Sequence, residues 1–136
     1  MHEIIFRGKR KDNGEWTYGY YCPKPYSHFP CEATIFPSET IDRDWHGERV
    51  DPSTVGQFTG LCDKNGVRIF EGDIIEYTDG CNDWLGAVKY DGDDAQFVVR
   101  FIGGDVESFD NLYSGDCEVL GDIYDSPELL EVSRND

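Results

Sequence analysis

The sequence predicts a mainly β protein, and three observations carry that reading. Short runs rich in Phe, Tyr, Ile and Val recur along the chain and are separated by clusters of Gly, Asn and Asp. Aromatic residues make up 14% of the chain and Met occurs once, so the core draws on residue types that suit pleated, half-buried surfaces rather than long helical faces. Two Asn-Gly pairs, at 13–14 and 65–66, sit between such runs, and Asn-Gly is the favoured centre of a tight hairpin turn. The 136 residues are about the length of one domain. They divide into a hairpin and loop lobe over residues 1–58 and a barrel lobe with a terminal helix over 59–132, expected to form one compact unit.

The first element is a hairpin. Within EIIFRGKRKDNGEWTYGYYC two strand-like runs are joined by Asp12-Asn13-Gly14-Glu15. With Asn13 and Gly14 alone in the loop, Lys11 falls opposite Trp16, Lys9 opposite Tyr18 and Arg7 opposite Tyr20. These six residues then share one face. Cations beside aromatic rings can grip a peptide or stack on nucleobases, which makes this the candidate recognition face. The competing reading is a cross-strand ladder in which cations and rings satisfy one another.

Residues 23–53 are broken by Pro23, Pro25, Pro30, Pro37 and Pro52 and read as surface loop around one short strand in CEATIF. Next, FTGLCDKNGVRIFEGDII reads as a second hairpin about Asn65-Gly66, with Asp63 facing Arg68 in an ion pair across its neck. Gly72 bends the chain into a third run, IIEY. GAVKY, QFVVRF and CEVLGDIY follow, separated by DGDD and a Gly103-Gly104 break, and strands so spaced suggest a small closed or partly open barrel. In SPELLEV, Ser126 is placed to cap a short helix with Pro127 at its first position, Glu128 beside its N-terminal dipole, and Leu129 and Leu130 covering an open barrel end.

The formal net charge is −16, and residues 61–136 carry most of it, with 19 acidic against 5 basic side chains, a net of −14. A surface of that sign repels phosphate backbones and anionic membranes, so nucleic acid is the less favoured partner and no membrane is expected. Solubility, a basic protein partner and divalent cations remain compatible with it. The acidic side chains of the Asp79–Asp83 and Asp91–Asp94 turns lack calcium-loop spacing, and Asp is expected in turns for its local hydrogen bonds. Five cysteines, Cys22, Cys31, Cys62, Cys81 and Cys117, form no CxxC pair and match reduced thiols in a cytoplasm. A zinc site can be drawn from Cys22, His28, Cys31 and His46, but its spacing fits no common ligand pattern. There is no phosphate-binding glycine fingerprint, HExxH or nucleophile elbow, so no catalytic, cofactor or metal residue is assigned. His28 and His46, the histidines a hydrolase could use, read as loop residues.

Four segments taken together carry a family resemblance: FRGKR with NGEWTYGYY, then VDPSTVGQFTGLCDKNGVRIFEGDII, then GAVKYD, then EVLGDIYDSPELL. In that order and spacing the chain resembles the YopX family of small bacteriophage and prophage proteins, chiefly of Gram-positive bacteria, with residues 23–50 matching least. The resemblance implies a phage or prophage origin, a largely β fold with an SH3-like second part, and no assigned activity or catalytic residues. The expected function is therefore that of a non-enzymatic cytoplasmic accessory protein that binds a host or phage protein or assembles with itself. Its contact surfaces would be the face of Arg7, Lys9, Lys11, Trp16, Tyr18 and Tyr20 and the acidic second lobe. The alternatives are a nucleic-acid binder using that basic aromatic face, an acidic DNA mimic and, least supported, a hydrolase.

Overall fold

A computed structural model of the protein describes residues 5–22, 33–36, 47–109, 112 and 114–130. The mainly β expectation holds, in antiparallel sheets with 3-10 turns as the described helical elements. The chain divides into two compact units, Met1–Phe58 and Thr59–Asp136. His28, Cys31 and His46, with the zinc and hydrolase readings that need them, lie outside the described residues.

In the first unit, β1 (Phe6–Lys9) pairs on one side with β2 (Trp16–Cys22) and on the other with the start of β5 (Gly56–Cys62). β2 continues to β3 (Thr34–Phe36), and β3 to the short β4 (Glu48–Arg49). The loop reading of residues 23–53 thus missed β4, whose two residues are too few for an alternating pattern to register. Its continuation is held by backbone bonds, Val50 N–H to the Ala33 carbonyl and Lys11 N–H to the Arg49 carbonyl, each 2.9 Å. Alternation along β1 and β2 turns Phe6 and Tyr21 inward, where their rings lie 5.6 Å apart and pack on Ala33, Ile35 and Val50.

The hairpin between β1 and β2 keeps its predicted place but not its register. Arg7 lies opposite Tyr18 and Lys9 opposite Trp16, two residues away from the predicted pairing. The turn contains four residues, Lys11 to Gly14, closed by the Arg10 N–H on the Glu15 carbonyl at 2.9 Å. A two-residue Asn-Gly turn needs positive φ at both positions, whereas here Gly14 alone adopts it, at 73°. Local side-chain bonds favour the longer turn. Asn13 Oδ1 accepts the Glu15 N–H at 2.9 Å, and the Arg10 guanidinium grips both carboxylate oxygens of Asp12, at 3.0 and 2.7 Å. Because the shift is two residues and not one, the side chains stay on the predicted face.

In the second unit, the remainder of β5 leads through a turn to β6 (Arg68–Phe70). Gly72, at φ 94°, then bends the chain as expected into β7 (Asp73–Thr78). β7, β8 (Asp83–Asp91), β9 (Gln96–Phe101) and β10 (Val106–Ser108) form an antiparallel meander, and β11 (Cys117–Asp122) returns to the free side of β7. Among the described residues the sheet order is β10-β9-β8-β7-β11, with no pairing that closes it into a barrel. Its inner face carries Ile75, Val88, Val99, Phe101 and Cys117, which pack with Ile69 and Phe109 as the core. Gly86 on β8 permits this packing: a Cβ there would sit 2.6 Å from the Arg100 carbonyl oxygen and 2.9 Å from the Phe101 ring.

The second hairpin also differs from its prediction. Asp63 N–H bonds to the Val67 carbonyl at 2.8 Å, so three residues, Lys64, Asn65 and Gly66, make the turn, with Gly66 at φ 82°. Asp63 therefore does not stand opposite Arg68. Its carboxylate is buried and accepts three backbone N–H groups, from Asn65 at 2.8 Å, Val67 at 2.9 Å and Val119 at 2.9 Å. The third bond crosses to β11 beside the Lys64 N–H on the Cys117 carbonyl, fastening the turn to the outer side of β11. The terminal helix is realised as a single 3-10 turn, Pro127–Leu130, with Leu129 close to Gly121.

Candidate functional site

On the first hairpin, Arg7 stands opposite Tyr18 and Lys9 opposite Trp16. Trp16 is half-buried between two cations: the Arg7 guanidinium carbon lies 4.2 Å from the ring centroid and the Lys9 ammonium 4.8 Å. Lys9 Nζ also donates to the Gly14 carbonyl at 3.3 Å, tying the stack to the turn. Arg7 is buried, at 6% exposure, while Tyr18 opposite it is 46% exposed and Tyr20 48%. The cross-strand ladder of Arg7, Lys9 and Trp16 is therefore formed, with Tyr18 and Tyr20 half exposed on the same strand. Lys11 sits in the turn, beyond the paired strands.

The acidic residues divide by position. Asp63, Asp79, Asp91 and Asp122 each accept backbone N–H groups of their own turns, at 2.7 to 3.0 Å. Burial works to raise the Asp63 pKa, but the N–H groups of Val119, Val67 and Asn65 together outweigh it and hold the carboxyl below its usual range. The N–H groups of Asn82 and Cys81 likewise lower that of Asp79. These carboxylates stabilise loops. Among the described residues, no group of three or more His, Cys, Asp or Glu side chains is arranged to hold a metal ion.

A second feature, which the sequence reading did not single out, lies in the second unit. Tyr77 on β7 pairs directly with Trp84 on β8, and the Trp84 ring lies 6.0 Å from that of Phe101 on β9. With Leu112 these rings line a pocket of about 270 Å³ whose other described lining residues are Asp79, Asp105 and Glu107. None of the described lining residues is a cation. The Trp84 side chain adds a smaller lowering influence on the Asp79 pKa, after its backbone donors. Tyr77 and Trp84 lie symmetrically about the Asp79-to-Asn82 turn, a hairpin relation legible in the sequence. Phe101 joins them only through the order of strands in the sheet.

Cys22, Cys62, Cys81 and Cys117 are free thiols. Burial, with Asp116 and Asp63 nearby, pushes Cys117 up to about 11. That thiol is a core residue and a poor nucleophile. No described helix is long and apolar enough to cross a membrane.

No curated protein matches the chain. Among solved structures it is similar to protein EF1440 from Enterococcus faecalis, at 25% sequence identity and a TM-score of 0.54, over 96% of this chain and 99% of that one. The family described as YopX protein matches residues 5–131, from the residue before β1 to the one after the terminal 3-10 turn. With the match spanning both units, the chain belongs to the YopX family.

Proposed function

We propose that this protein is a non-enzymatic accessory protein of a phage or prophage, acting in the bacterial cytoplasm by binding a protein partner through the hairpin face. One observation carries the reading: Tyr18 and Tyr20 are about half exposed on β2, beside a Trp16 already clamped by Arg7 and Lys9. A strip of tyrosines on a rigid strand presents amphipathic contact area at little entropic cost, which suits a protein interface. The same clamp weighs against nucleobase stacking, since the Trp16 ring is engaged by the protein's own cations.

Capture from host lysate with the full chain and with the Tyr18→Ala/Tyr20→Ala variant tests this. The reading predicts that proteins retained specifically by the parent are lost from the variant, with thermal unfolding of the variant little changed. An identical retained set, at identical yield, removes the hairpin face from the proposal. Fluorescence titration with single-stranded and duplex oligonucleotides at low salt provides the contrary arm. Binding at or below about 10⁻⁴ M, the range of non-specific binders, would favour nucleic acid instead.

A further inference from the structure

We propose that the cleft over β8 and β9, on the sheet face opposite Val88 and Val99, binds a small amphipathic carboxylate: a monoanionic head group carried on an apolar chain. The inference stands apart from the hairpin reading, because it concerns the other unit and other residues.

The cleft has a volume of about 720 Å³, within the range of roughly 300–1,000 Å³ common to small-molecule sites. Ala87, Ile102, Ile123 and Leu130 give it an apolar lining, and the charged side chains among its described lining residues are Lys89 and Arg100. The pairs Ala87 with Arg100 and Lys89 with Val98 put these two cations on one face as diagonal neighbours across the strands, roughly 7 Å apart at the backbone. Both are exposed, and among the described residues neither makes an ion pair or a side-chain hydrogen bond. Like charges so placed repel. Residues 61–136 hold 5 basic against 19 acidic side chains, and two of those basic residues stand together beside one cleft. The result is a local reversal of sign that an anion resolves.

The surrounding charge also selects among anions. A carboxylate brings one negative charge to two cations, whereas a phosphate monoester brings close to two into a half of the chain whose net charge is −14. Arg100 offers a planar fork that matches the two carboxylate oxygens, and Lys89 adds a point charge beside it. The apolar chain would lie over Ala87 towards Ile123 and Leu130. That wall is set in advance. Ile123 N–H donates to the Gly72 carbonyl and Ser126 N–H to the Asp122 carbonyl, each at 2.9 Å, and the Asp122 carboxylate accepts the N–H groups of Tyr124 and Asp125 at 2.9 and 2.8 Å. The Gly103-Gly104 bend also lines the cleft, and a Cβ at either glycine would meet nothing within 4 Å, so this stretch leaves the cleft open.

The test uses the full chain labelled with ¹⁵N, its backbone amides assigned, and titrated with sodium octanoate while the Gly103 and Gly104 amides are read. These resonances should shift saturably with a Kd on the order of 1 mM, as expected for a ligand of this size. Acetate, which lacks the chain, and octan-1-ol, which lacks the charge, should each bind at least about tenfold more weakly. Lys89→Gln/Arg100→Gln, at two exposed positions, should weaken octanoate binding at least about tenfold, while the remaining amide resonances report an intact fold. Absence of a shift up to about 20 mM octanoate, or unchanged binding by the double variant, overturns the site. An equal shift with octan-1-ol at matched concentration overturns the anionic head group, and equal or tighter binding of octyl phosphate overturns the carboxylate assignment. Tyr18→Ala/Tyr20→Ala should bind octanoate as the parent does, which keeps this result separate from the fate of the hairpin proposal.

Discussion

Arg7 and Trp16 are diagonal neighbours across the first hairpin, and the guanidinium of one lies 4.2 Å from the ring centroid of the other. The direct partner of Trp16 is Lys9, whose ammonium lies 4.8 Å from the same ring. One ring thus engages two cations, and its removal takes one contact from each. Trp16→Ala is expected to destabilise the first unit by about 2 kcal/mol, from lost ring burial and two cation–π contacts, while Trp16→Phe should cost less than half of that. Urea unfolding of the three proteins measures it. An alanine variant as stable as the parent would show that the stack contributes nothing.

Asp63 offers a sharper case because its acceptors serve fixed donors. Asp63→Asn replaces one oxygen by an NH₂ group, which must then face a backbone N–H. The expected cost is roughly 1–3 kcal/mol. Since the folded carboxyl titrates below its ordinary value of 3.8, its contribution is complete above that pH and is lost as pH falls through the lower folded value. The stability difference between parent and Asp63→Asn should therefore narrow on acidification below about pH 4. A difference that stays constant to pH 2 would contradict the assignment.

Ala95 carries the opposite sign. It adopts φ 54° at the end of the four-residue turn joining β8 and β9, the position that Gly14 occupies in the equally long turn joining β1 and β2. Ala95→Gly removes a Cβ from a left-handed conformation that costs an L-residue about 1 kcal/mol. We expect a gain of up to roughly 1 kcal/mol, partly offset by the greater freedom of glycine in the unfolded chain, read as a rise in melting temperature.

Gly86→Ala should be among the most damaging single changes in the second unit. Its Cβ would meet the Arg100 carbonyl oxygen, and backbone cannot yield as a side-chain tip can. A loss of about 2–3 kcal/mol is expected, accompanied by a shift of the Trp84 indole resonance as Phe101 is displaced. Destabilisation without that shift would mean that Phe101 does not rest on Gly86.

The thiols should separate by reactivity. Exposed Cys62 and Cys81 should alkylate rapidly at pH 8, and Cys117 only on unfolding. Burial favours the protonated form of Cys117, so its contribution to stability is complete below the ordinary thiol value of 9.0 and fades as pH rises towards about 11. Mass spectrometry after timed iodoacetamide exposure distinguishes the sites. Modification of Cys117 at the rate of Cys62 would show that the core is open.

Turn chemistry is short-range, and so the positions of both Asn-Gly hairpins, the Gly72 bend and the role of turn aspartates as loop caps were legible in the residues themselves. Register was not, because it depended on whether Asn13 spent its side chain on Glu15 and Arg10 its guanidinium on Asp12. β4 escaped notice because two residues carry no period, and β10 because its three do little better. A two-residue turn puts Arg68 opposite Asp63, whereas the three-residue turn puts Val67 there. The bond from Val119, 56 residues away, could not be read from either sequence neighbourhood.

What the sequence determined by itself was therefore local and periodic: the β class, the turn sites, the parity that puts Arg7, Lys9, Trp16 and Tyr18 on one face, and the acidity of the second half. Tertiary structure alone decided which groups those faces consume. It turned Arg7 inward beneath its aromatic neighbours, and it brought Tyr77, Trp84 and Phe101 from three strands around one pocket. The reason is that alternation assigns a side chain to a face, whereas only the order of strands in a sheet says which side chains become neighbours there.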